Sequence, residues 1–195
     1  MSEPLIRLAT VDDSDAILAI YEPYISTSIT FEETVPRADA FRERVATILK
    51  KYPYLVAEID GEVVGYAYAG AFRERQAYQW NAELSVYLTP KAQGFGLGKR
   101  LYACIIELVK LQGVKVLYGI VTCPNEASRK LHERFDFELS LLQKNAGYSC
   151  GEWRDVKWYV RYLTDEFEDN PKPPIPFPKF LEENTSLVEE IIANA

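Results

Sequence analysis

The chain has 195 residues, of which 48% are hydrophobic, so it is long and apolar enough to bury a core of its own. This composition excludes a disordered protein and a fibre. A formal net charge of −7 argues against nucleic acids and anionic membrane surfaces as partners.

The charge is unevenly distributed along the sequence. Residues 165–190 carry eight acidic side chains and two lysines, whereas residues 91–134 carry eight basic side chains and three glutamates. The basic segment indicates either a site for a compact anionic ligand or a set of solvated helix faces.

The sequence indicates a soluble cytoplasmic protein without a membrane partner. Asp12, Asp13 and Asp15 interrupt the amino-terminal region, and no run of about 18 apolar residues occurs. Three widely spaced cysteines and a single histidine give neither a disulfide framework nor a zinc pattern, so we expect chemistry without a metal.

The first elements are a short apolar stretch and two helices. Leu5–Leu8 is the apolar stretch, and Thr10 begins a helix that Pro23 limits near its end. A second helix contains the apolar residues from Phe41 to Tyr52, and the proline that follows stops it.

A β region follows. Leu55–Ile59 and Val63–Ala69 flank Asp60-Gly61, a residue pair typical of hairpin turns, and Glu83–Thr89 is the next predicted strand. A glycine-rich loop then opens an amphipathic helix that Gly113 caps.

The remaining elements complete a mixed α/β domain over residues 1–163. They are a strand at Val116–Val121, a helix at Asn125–Arg134, and strands at Phe137–Leu142 and Asp155–Tyr162. Residues 164–195 form an acidic, proline-rich extension that either wraps the surface or runs free. In this extension we predict a terminal helix, Leu181–Ala193, which docks through Leu187, Ile191 and Ile192.

The glycine-rich loop, residues 88–100, predicts an anion site at a helix amino terminus. A Walker loop needs glycine in place of Gln93 and Ser or Thr in place of Arg100, and a dinucleotide loop needs glycine in place of Lys99. The pattern that remains is Gln-x-x-Gly-x-Gly at Gln93, Gly96 and Gly98, which a chance flexible turn could also produce.

Several segments in the same order resemble the phosphinothricin acetyltransferase branch of the GNAT acetyltransferases. The glycine loop resembles the family's pyrophosphate loop, and Asn125–Phe137 resembles its second cofactor element. The other matching segments are Tyr52–Glu58, Ala67–Gly70, Arg73–Tyr87, Ala146–Tyr148 and Gly151–Val156. Together they cover about residues 4 to 163.

This resemblance implies a central, mostly antiparallel twisted sheet that is splayed at the cofactor cleft and flanked by helices. It also implies acetyl-CoA as donor, a small amino-acid-like amine as acceptor, and a homodimer. The implied cofactor-binding residues are Val86, Tyr87, Leu88, Gln93, Gly94, Phe95, Gly96, Leu97, Gly98, Lys99 and Asn125. The cations expected to face the phosphates are Lys91, Lys99, Arg100, Arg129 and Lys130.

The resemblance also assigns the catalytic candidates. Glu83 occupies the family's general-base position, although it could instead be a solvent-facing strand carboxylate. An aromatic cleft formed by Tyr78, Trp80 or Tyr87 would raise its pKa. His132 stands where many acetyltransferases have a tyrosine acid, and a helix-packing imidazole is the alternative.

Four residues match the family's substrate pocket. Arg73, Arg75 and Tyr78 match positions that contact the amino acid, and Phe31 matches a mobile aromatic wall. A charged surface loop and simple core packing are the alternatives. The chain departs from herbicide-detoxifying relatives at Cys150, where they carry a histidine.

The predicted reaction is acetyl transfer to the α-amino group of phosphinothricin, methionine sulfoximine or methionine sulfone, or a similar analogue. Two other functions remain open from the sequence. One is a non-catalytic acyl-CoA-binding sensor or interaction module, and the other is acetylation of protein amino groups.

Overall fold

A seven-stranded sheet forms the centre of the computed structural model, which describes residues 3–195. The strands are β1 (Leu5–Leu8), β2 (Tyr54–Ile59), β3 (Glu62–Ala71), β4 (Asn81–Leu88), β5 (Val116–Cys123), β6 (Glu138–Ser149) and β7 (Glu152–Tyr162). The helices are α1 (Ser14–Ile25), α2 (Ala38–Leu49), α3 (Leu97–Leu111), α4 (Glu126–Arg134), α5 (Phe177–Glu183) and α6 (Thr185–Ala193). The strand order is β1-β2-β3-β4-β5-β7-β6, with β4 and β5 as the parallel pair.

Helices cover both faces of the sheet. Each strand contributes to both contacts, because alternate residues of a strand point to opposite faces. In β2, Leu55 and Ala57 belong to the hydrophobic cluster that includes α3. Tyr54 and Val56 belong to a second cluster with α1 and α2. The predicted mixed α/β fold, mostly antiparallel and flanked by helices, is confirmed.

Two hairpins turn through residue pairs with positive φ. Asp60 and Gly61 have φ of 53° and 80° in the predicted hairpin, and Cys150 and Gly151 have φ of 52° and 79° between β6 and β7. Positive φ at both central residues is the requirement of a type I′ turn. The strands β6 and β7 run up to this second turn and are therefore longer than predicted. The turn itself was not predicted, because Cys-Gly is not a pair that sequence rules associate with this turn type.

The parallel pair β4–β5 separates after three residues. Its register joins Asn81 to Val116, Ala82 to Leu117 and Glu83 to Tyr118. Residues 84–88 of β4 continue in register with β3. A gap therefore opens in the middle of the sheet just beyond Glu83, in agreement with the predicted splay.

The carboxy-terminal extension wraps the domain. Gln112, at the end of α3, accepts a hydrogen bond from the Ile175 amide through its carbonyl oxygen (2.8 Å) and donates one to the Ile175 carbonyl through its side chain (2.8 Å). The Phe177 amide donates to the carbonyl of Lys51 (3.0 Å). Phe177 and Phe180 lie in the core cluster of α3. Of the two predicted outcomes, wrapping is the one found.

The predicted single terminal helix is wrong in one respect, because α5 and α6 are separate. Asn184 lies between them, and its side chain donates to the carbonyl of Phe180 (2.9 Å), which competes with continuation of the helix. The docking residues also differ: Val188 is fully buried, whereas Leu187 is 40% exposed. Ile191 and Ile192 are partly buried against the core, as predicted.

We expect Phe180→Ala to lower the free energy of unfolding by about 3 kcal/mol, because it removes a buried aromatic ring from the contact between extension and domain. Leu187→Ala is the control in the same extension, and its effect should stay below about 0.5 kcal/mol. Urea denaturation measures both. Equal losses for the two variants would contradict the packing described here.

Candidate active site

Glu83 lies at the point where the sheet opens. It is the last residue of β4 that is paired with β5, and it is largely buried. Burial raises the pKa of its carboxyl from 4.5 to about 6, because the charged form loses hydration. A carboxylate with this pKa is ionised at neutral pH and is still a usable proton acceptor.

Tyrosines surround this carboxylate. Burial raises the pKa of Tyr68, Tyr87 and Tyr102, and the charge of Glu83 raises each of them further, so all three lie within its electrostatic reach. Tyr87, one of the three aromatic residues expected around Glu83, is one of these tyrosines. Trp80 instead donates its indole N–H to the carbonyl of Lys172 in the extension (2.9 Å).

The glycine loop ends in an open helix amino terminus. Gly96 caps α3 with φ of 81°, a conformation that disfavours side chains, and Gly94 has φ of 86°. A Cβ at either position would meet no atom within 4 Å, so the space above the loop is open. The amides of Lys99 and Arg100 donate to the carbonyl of Gly96, so the amides that precede them are the ones left for an anion such as the pyrophosphate that the sequence predicts. Phe95 is 70% exposed at the tip of the loop.

Tyr24 connects α1 to this loop. Its hydroxyl donates to the carbonyl of Leu88 at the end of β4 (2.6 Å) and accepts from the side-chain amide of Gln93 (3.2 Å). The side chain of Leu88 fills the space beside Gly98, where a Cβ would lie 3.4 Å from it. Gln93 therefore helps to hold the loop in place. The sequence analysis did not predict this role of Tyr24, because its two partners lie far away in the sequence.

Most of the cations expected to face the phosphates are already paired within the protein. Lys91 pairs with Glu62 (2.5 Å), Arg100 donates to the carbonyl of Ala195 (2.8 Å), Arg129 pairs with Glu126 (2.6 Å) and Glu133 (2.5 Å), and Lys130 approaches Glu126 (3.6 Å). The fifth, Lys99, is exposed in the first turn of α3. Backbone amides, more than a patch of free cations, therefore give the loop its attraction for anions.

Asn125 and His132 lie on α4. The Asn125 side-chain oxygen accepts from the amide of Ser128 (3.1 Å) and so caps the helix, and its amide nitrogen is the group with which it could contact pantetheine. The Nδ1–H of His132 donates to the carbonyl of Ser128 (2.7 Å), since a carbonyl can only accept. Its Nε2 therefore accepts from the Tyr102 hydroxyl (3.0 Å).

This arrangement describes a neutral imidazole. Burial lowers the pKa of His132, and its ring stacks on Tyr159 at 5.1 Å. The ring also occupies the space over Gly119, where a Cβ would overlap it. The helix-packing alternative thus accounts for all its contacts, and the role of His132 as an acid stays a prediction.

The predicted substrate residues Arg73, Arg75 and Tyr78 lie in the loop between β3 and β4. Gly70 pairs with Glu83, so the loop begins two residues after the strand position that neighbours Glu83. The Arg73 guanidinium lies 5.2 Å from the Phe72 ring centroid and 5.7 Å from that of Tyr78. Arg75 is exposed just before a 3₁₀ turn that ends at Tyr78.

Phe31 lies in the segment between α1 and α2 and contacts β6. It is 43% exposed, and its ring lies against Gly147 of β6, where a Cβ would approach it to 2.8 Å. The ring of Phe31 thus rests on a glycine of β6, where a larger residue would displace it. The assignment of Phe31 as a substrate wall stays a prediction.

Two aromatic residues near Glu83 were missed by the sequence analysis. Phe72 stacks on Tyr118 with centroids 3.9 Å apart, and Tyr118 is the residue paired with Glu83. The one sequence signal for Phe72 was its position between the end of a predicted strand and the Arg73-x-Arg75 pair. Pattern rules assign such a residue to packing.

The described part of the chain offers neither a metal-binding cluster nor a membrane-spanning helix. Residues 3–195 contain no cluster of three or more His, Cys, Asp and Glu side chains that could bind a metal ion. Within the same residues, no helix is both long and apolar enough to cross a membrane.

Comparison with known proteins places the chain in a family. The family model of the acetyltransferase (GNAT) domain matches residues 6–158. Phosphinothricin N-acetyltransferase of Streptomyces viridochromogenes is 36% identical over 172 residues, which are 88% of this chain and 91% of that protein. An L-methionine sulfoximine/L-methionine sulfone acetyltransferase of Pseudomonas paraeruginosa is 36% identical over 77% of this chain and 90% of that protein.

A solved structure extends this likeness to three dimensions. The phosphinothricin acetyltransferase of Sinorhizobium meliloti, determined in complex with acetyl-CoA, superposes with a TM-score of 0.83 at 34% identity and covers 88% of this chain and 94% of that one. The likeness agrees with the splayed sheet and the glycine loop described above. The chain therefore belongs to the GNAT acetyltransferase family, and it is an N-acetyltransferase whose relatives include phosphinothricin and methionine sulfoximine acetyltransferases.

Proposed function

We propose that the protein transfers the acetyl group of acetyl-CoA to the α-amino group of a small amino-acid analogue of the phosphinothricin, methionine sulfoximine or methionine sulfone class. The observation that carries this proposal is the buried carboxyl of Glu83, with a pKa of about 6, at the opening of the sheet. The names of the relatives support the substrate class.

The donor supplies an activated acetyl group as a thioester. The amides of residues 94–98 would hold its pyrophosphate at the amino terminus of α3, and Asn125 would contact the pantetheine. The end of β4, residues Val86, Tyr87 and Leu88, lines the gap along which the pantetheine would extend. Open space above Gly94 and Gly96 supports this assignment, because side chains there would obstruct the phosphates.

Glu83 acts on the acceptor. An α-amino group has a pKa of about 7.7 to 8.0, so much of it is protonated at neutral pH. The ionised Glu83 carboxylate takes this proton, directly or through a water molecule, and the free amine then attacks the thioester carbonyl. The C–N bond forms and the C–S bond breaks; the nitrogen releases its second proton to solvent, and the departing thiolate takes a proton from solvent, because the neutral His132 holds its Nδ1 proton against the carbonyl of Ser128.

The charged loop supplies the contacts to the rest of the acceptor. Arg73 and Arg75 present two guanidinium groups, which suit the carboxylate and phosphinate groups of such analogues. Tyr78 lies beside Arg73, and Phe31 would close the opposite side of the pocket.

We place the reaction in the cytoplasm, since Cys104, Cys123 and Cys150 are free thiols, as expected in a reducing compartment.

Replacement of the base tests the mechanism. We expect Glu83→Gln to lower kcat about 100-fold or more at pH 7.5, because general-base catalysis contributes roughly 10²- to 10⁴-fold. Binding of acetyl-CoA, measured by calorimetry, should change little. Glu107→Gln, at an exposed position of α3, is the control. Turnover of Glu83→Gln equal to wild type would remove Glu83 from this role.

The same substitution should stabilise the fold at high pH. The folded state holds the Glu83 proton with a pKa of about 6 against 4.5 in the unfolded chain, so this contribution is present at low pH and is lost as the pH rises through 6. Glu83→Gln should therefore raise the free energy of unfolding by up to about 2 kcal/mol at pH 8. At pH 4 urea denaturation should show no gain; a gain of the same size at both pH values would contradict the argument.

We also propose a homodimer that uses the β6–β7 hairpin. Strand β6 is an edge of the sheet, and the hairpin exposes five large apolar side chains: Leu139, Leu141, Leu142, Tyr148 and Trp153, each at least 40% exposed. An exposed apolar edge strand favours association with a second strand.

Charge on this edge should separate the subunits. We expect Leu141→Lys to sediment as a monomer at a concentration at which the wild type sediments as a dimer, because a buried ammonium would lose its hydration. Leu5→Lys, on the opposite edge strand and 59% exposed, is the control and should remain a dimer. A monomeric wild type would contradict the proposal.

The two other functions make different predictions for the same assays. A sensor would bind acetyl-CoA and release no thiol with any amine, whereas an enzyme for protein amino groups would prefer peptides to free amino acids. The carboxylate at Glu83 and the two arginines in the loop that follows β3 are what favour the small-molecule reaction.

A further inference from the structure

We propose that Phe72 is a positioning residue for the acceptor: it holds the Arg73 guanidinium at a fixed distance from Glu83, and thereby sets the affinity for amines that carry an adjacent anionic group. This inference rests on the proposed function, in which Arg73 binds the anion of the substrate. Phe72, Tyr118 and Trp158 have no role in the reaction as described above.

Phe72 is fixed from the side of the sheet. Its ring stacks on Tyr118 with centroids 3.9 Å apart and an interplanar angle of 12°, and it meets Trp158 edge to face at 6.0 Å. Tyr118 is in register with Glu83 across the β4–β5 pair. The position of Phe72 is therefore coupled to the position of the catalytic carboxylate through one ring stack and one strand pairing.

Phe72 also confines Arg73 on its outer side. The guanidinium lies 5.2 Å from the Phe72 centroid and 5.7 Å from the Tyr78 centroid, and the two rings are inclined at 74°. Each distance is within the range of a cation–π contact. A guanidinium that rests on aromatic faces keeps its N–H edge available for a carboxylate, since the donors lie in its plane.

The neighbouring arginine provides an internal comparison. Arg73 and Arg75 are both exposed side chains of one loop, and in the described chain the ring contacts of this loop involve Arg73 and not Arg75. An exposed arginine without such contacts loses more side-chain freedom when it binds an anion. Arg73 is preorganised by its ring contacts, whereas Arg75, without them, is the less ordered partner for the same anion or for a second one.

The consequence is a division of kinetic effects. Loss of the Phe72 ring should weaken binding of the anionic group while Glu83 and the donor site stay as they are. KM for an anionic amine should therefore rise with little change in kcat. An amine without the anionic group should show no change, because Arg73 has nothing to bind in that case.

The experiment uses the full chain with methionine sulfone and its decarboxylated amine as acceptors. Phe72→Met keeps the apolar volume and removes the ring, and Phe72→Tyr restores a ring. We expect Phe72→Met to raise KM for methionine sulfone about 5- to 20-fold, the range of a partly desolvated cation–π contact, with kcat within about 2-fold. Phe72→Tyr should be close to wild type, and KM for the decarboxylated amine should not change.

A double-mutant comparison separates positioning from general damage. In an Arg73→Met background, Phe72→Met should have no further effect on KM, because its route of action is gone. In an Arg75→Met background its full effect should persist. Equal effects in both backgrounds, or a fall in kcat as large as the rise in KM, would overturn the proposal.

A spectroscopic measurement tests the contact without turnover. The Arg73 Nε–H signal, identified by its loss in Arg73→Met, should be shifted by the ring currents in wild type and should move toward the free arginine position in Phe72→Met. If that variant does not fold, Tyr78→Leu removes the second ring from an exposed site and should shift the same signal. An unshifted wild-type signal would overturn the inference. If instead the signal is shifted but Arg73→Met leaves KM unchanged, the proposed function fails at Arg73 and Phe72 has no acceptor to position.

Discussion

The early separation of β4 and β5 is the constraint on which the rest of the site depends. A parallel pair that continued along both strands would satisfy its backbone groups internally and close the sheet. Because pairing stops at Glu83, the end of β4 borders a gap. Glu83 itself is only partly buried, so its side chain remains accessible from this gap. The separation of β4 and β5 therefore has two effects: it leaves Glu83 buried enough for its pKa to rise, and it leaves an opening through which an amine can approach.

Several elements stabilise this break from outside. Tyr24 of α1 ties the end of β4 to the glycine loop, and Leu88 fits between that loop and β3. On the far side the carboxy-terminal extension bonds to Trp80, just before β4, and to Arg100 in the first turn of α3. Contacts on both sides of the gap therefore keep a strand in place over a stretch where one of its neighbours is missing.

The sequence predicted the parts of this structure that local chemistry determines. The Asp60-Gly61 hairpin, the helix after the glycine loop and the sheet class followed from turn residues and periodicity, and the family assignment followed from ordered motifs. Long-range partners could not be predicted. Arg100 was expected to face phosphates, but it donates to the carbonyl of Ala195, a distant partner that no spacing rule reveals. Arg129 was expected to do the same, but it pairs with Glu126 and Glu133 at the i,i+3 and i,i+4 spacing of its own predicted helix, a pairing that the sequence analysis overlooked. The left-handed turn at Cys150 was missed because its sequence is unusual for that geometry.

The hairpin of β6 and β7 links two properties of the protein that are usually treated separately. Its outer edge is apolar and open to a neighbour, while Gly147 on the same strand supports the ring of Phe31, and the Cys150 thiol at its tip contacts the carbonyl of Ser26 (3.8 Å). Because a β-strand is stiff, a displacement of its edge also displaces the side chains that pack on its face, which here include the ring of Phe31. In the proposed dimer, the strand that meets the partner also carries the glycine against which Phe31 rests, so a change in the subunit contact would alter the position of that ring.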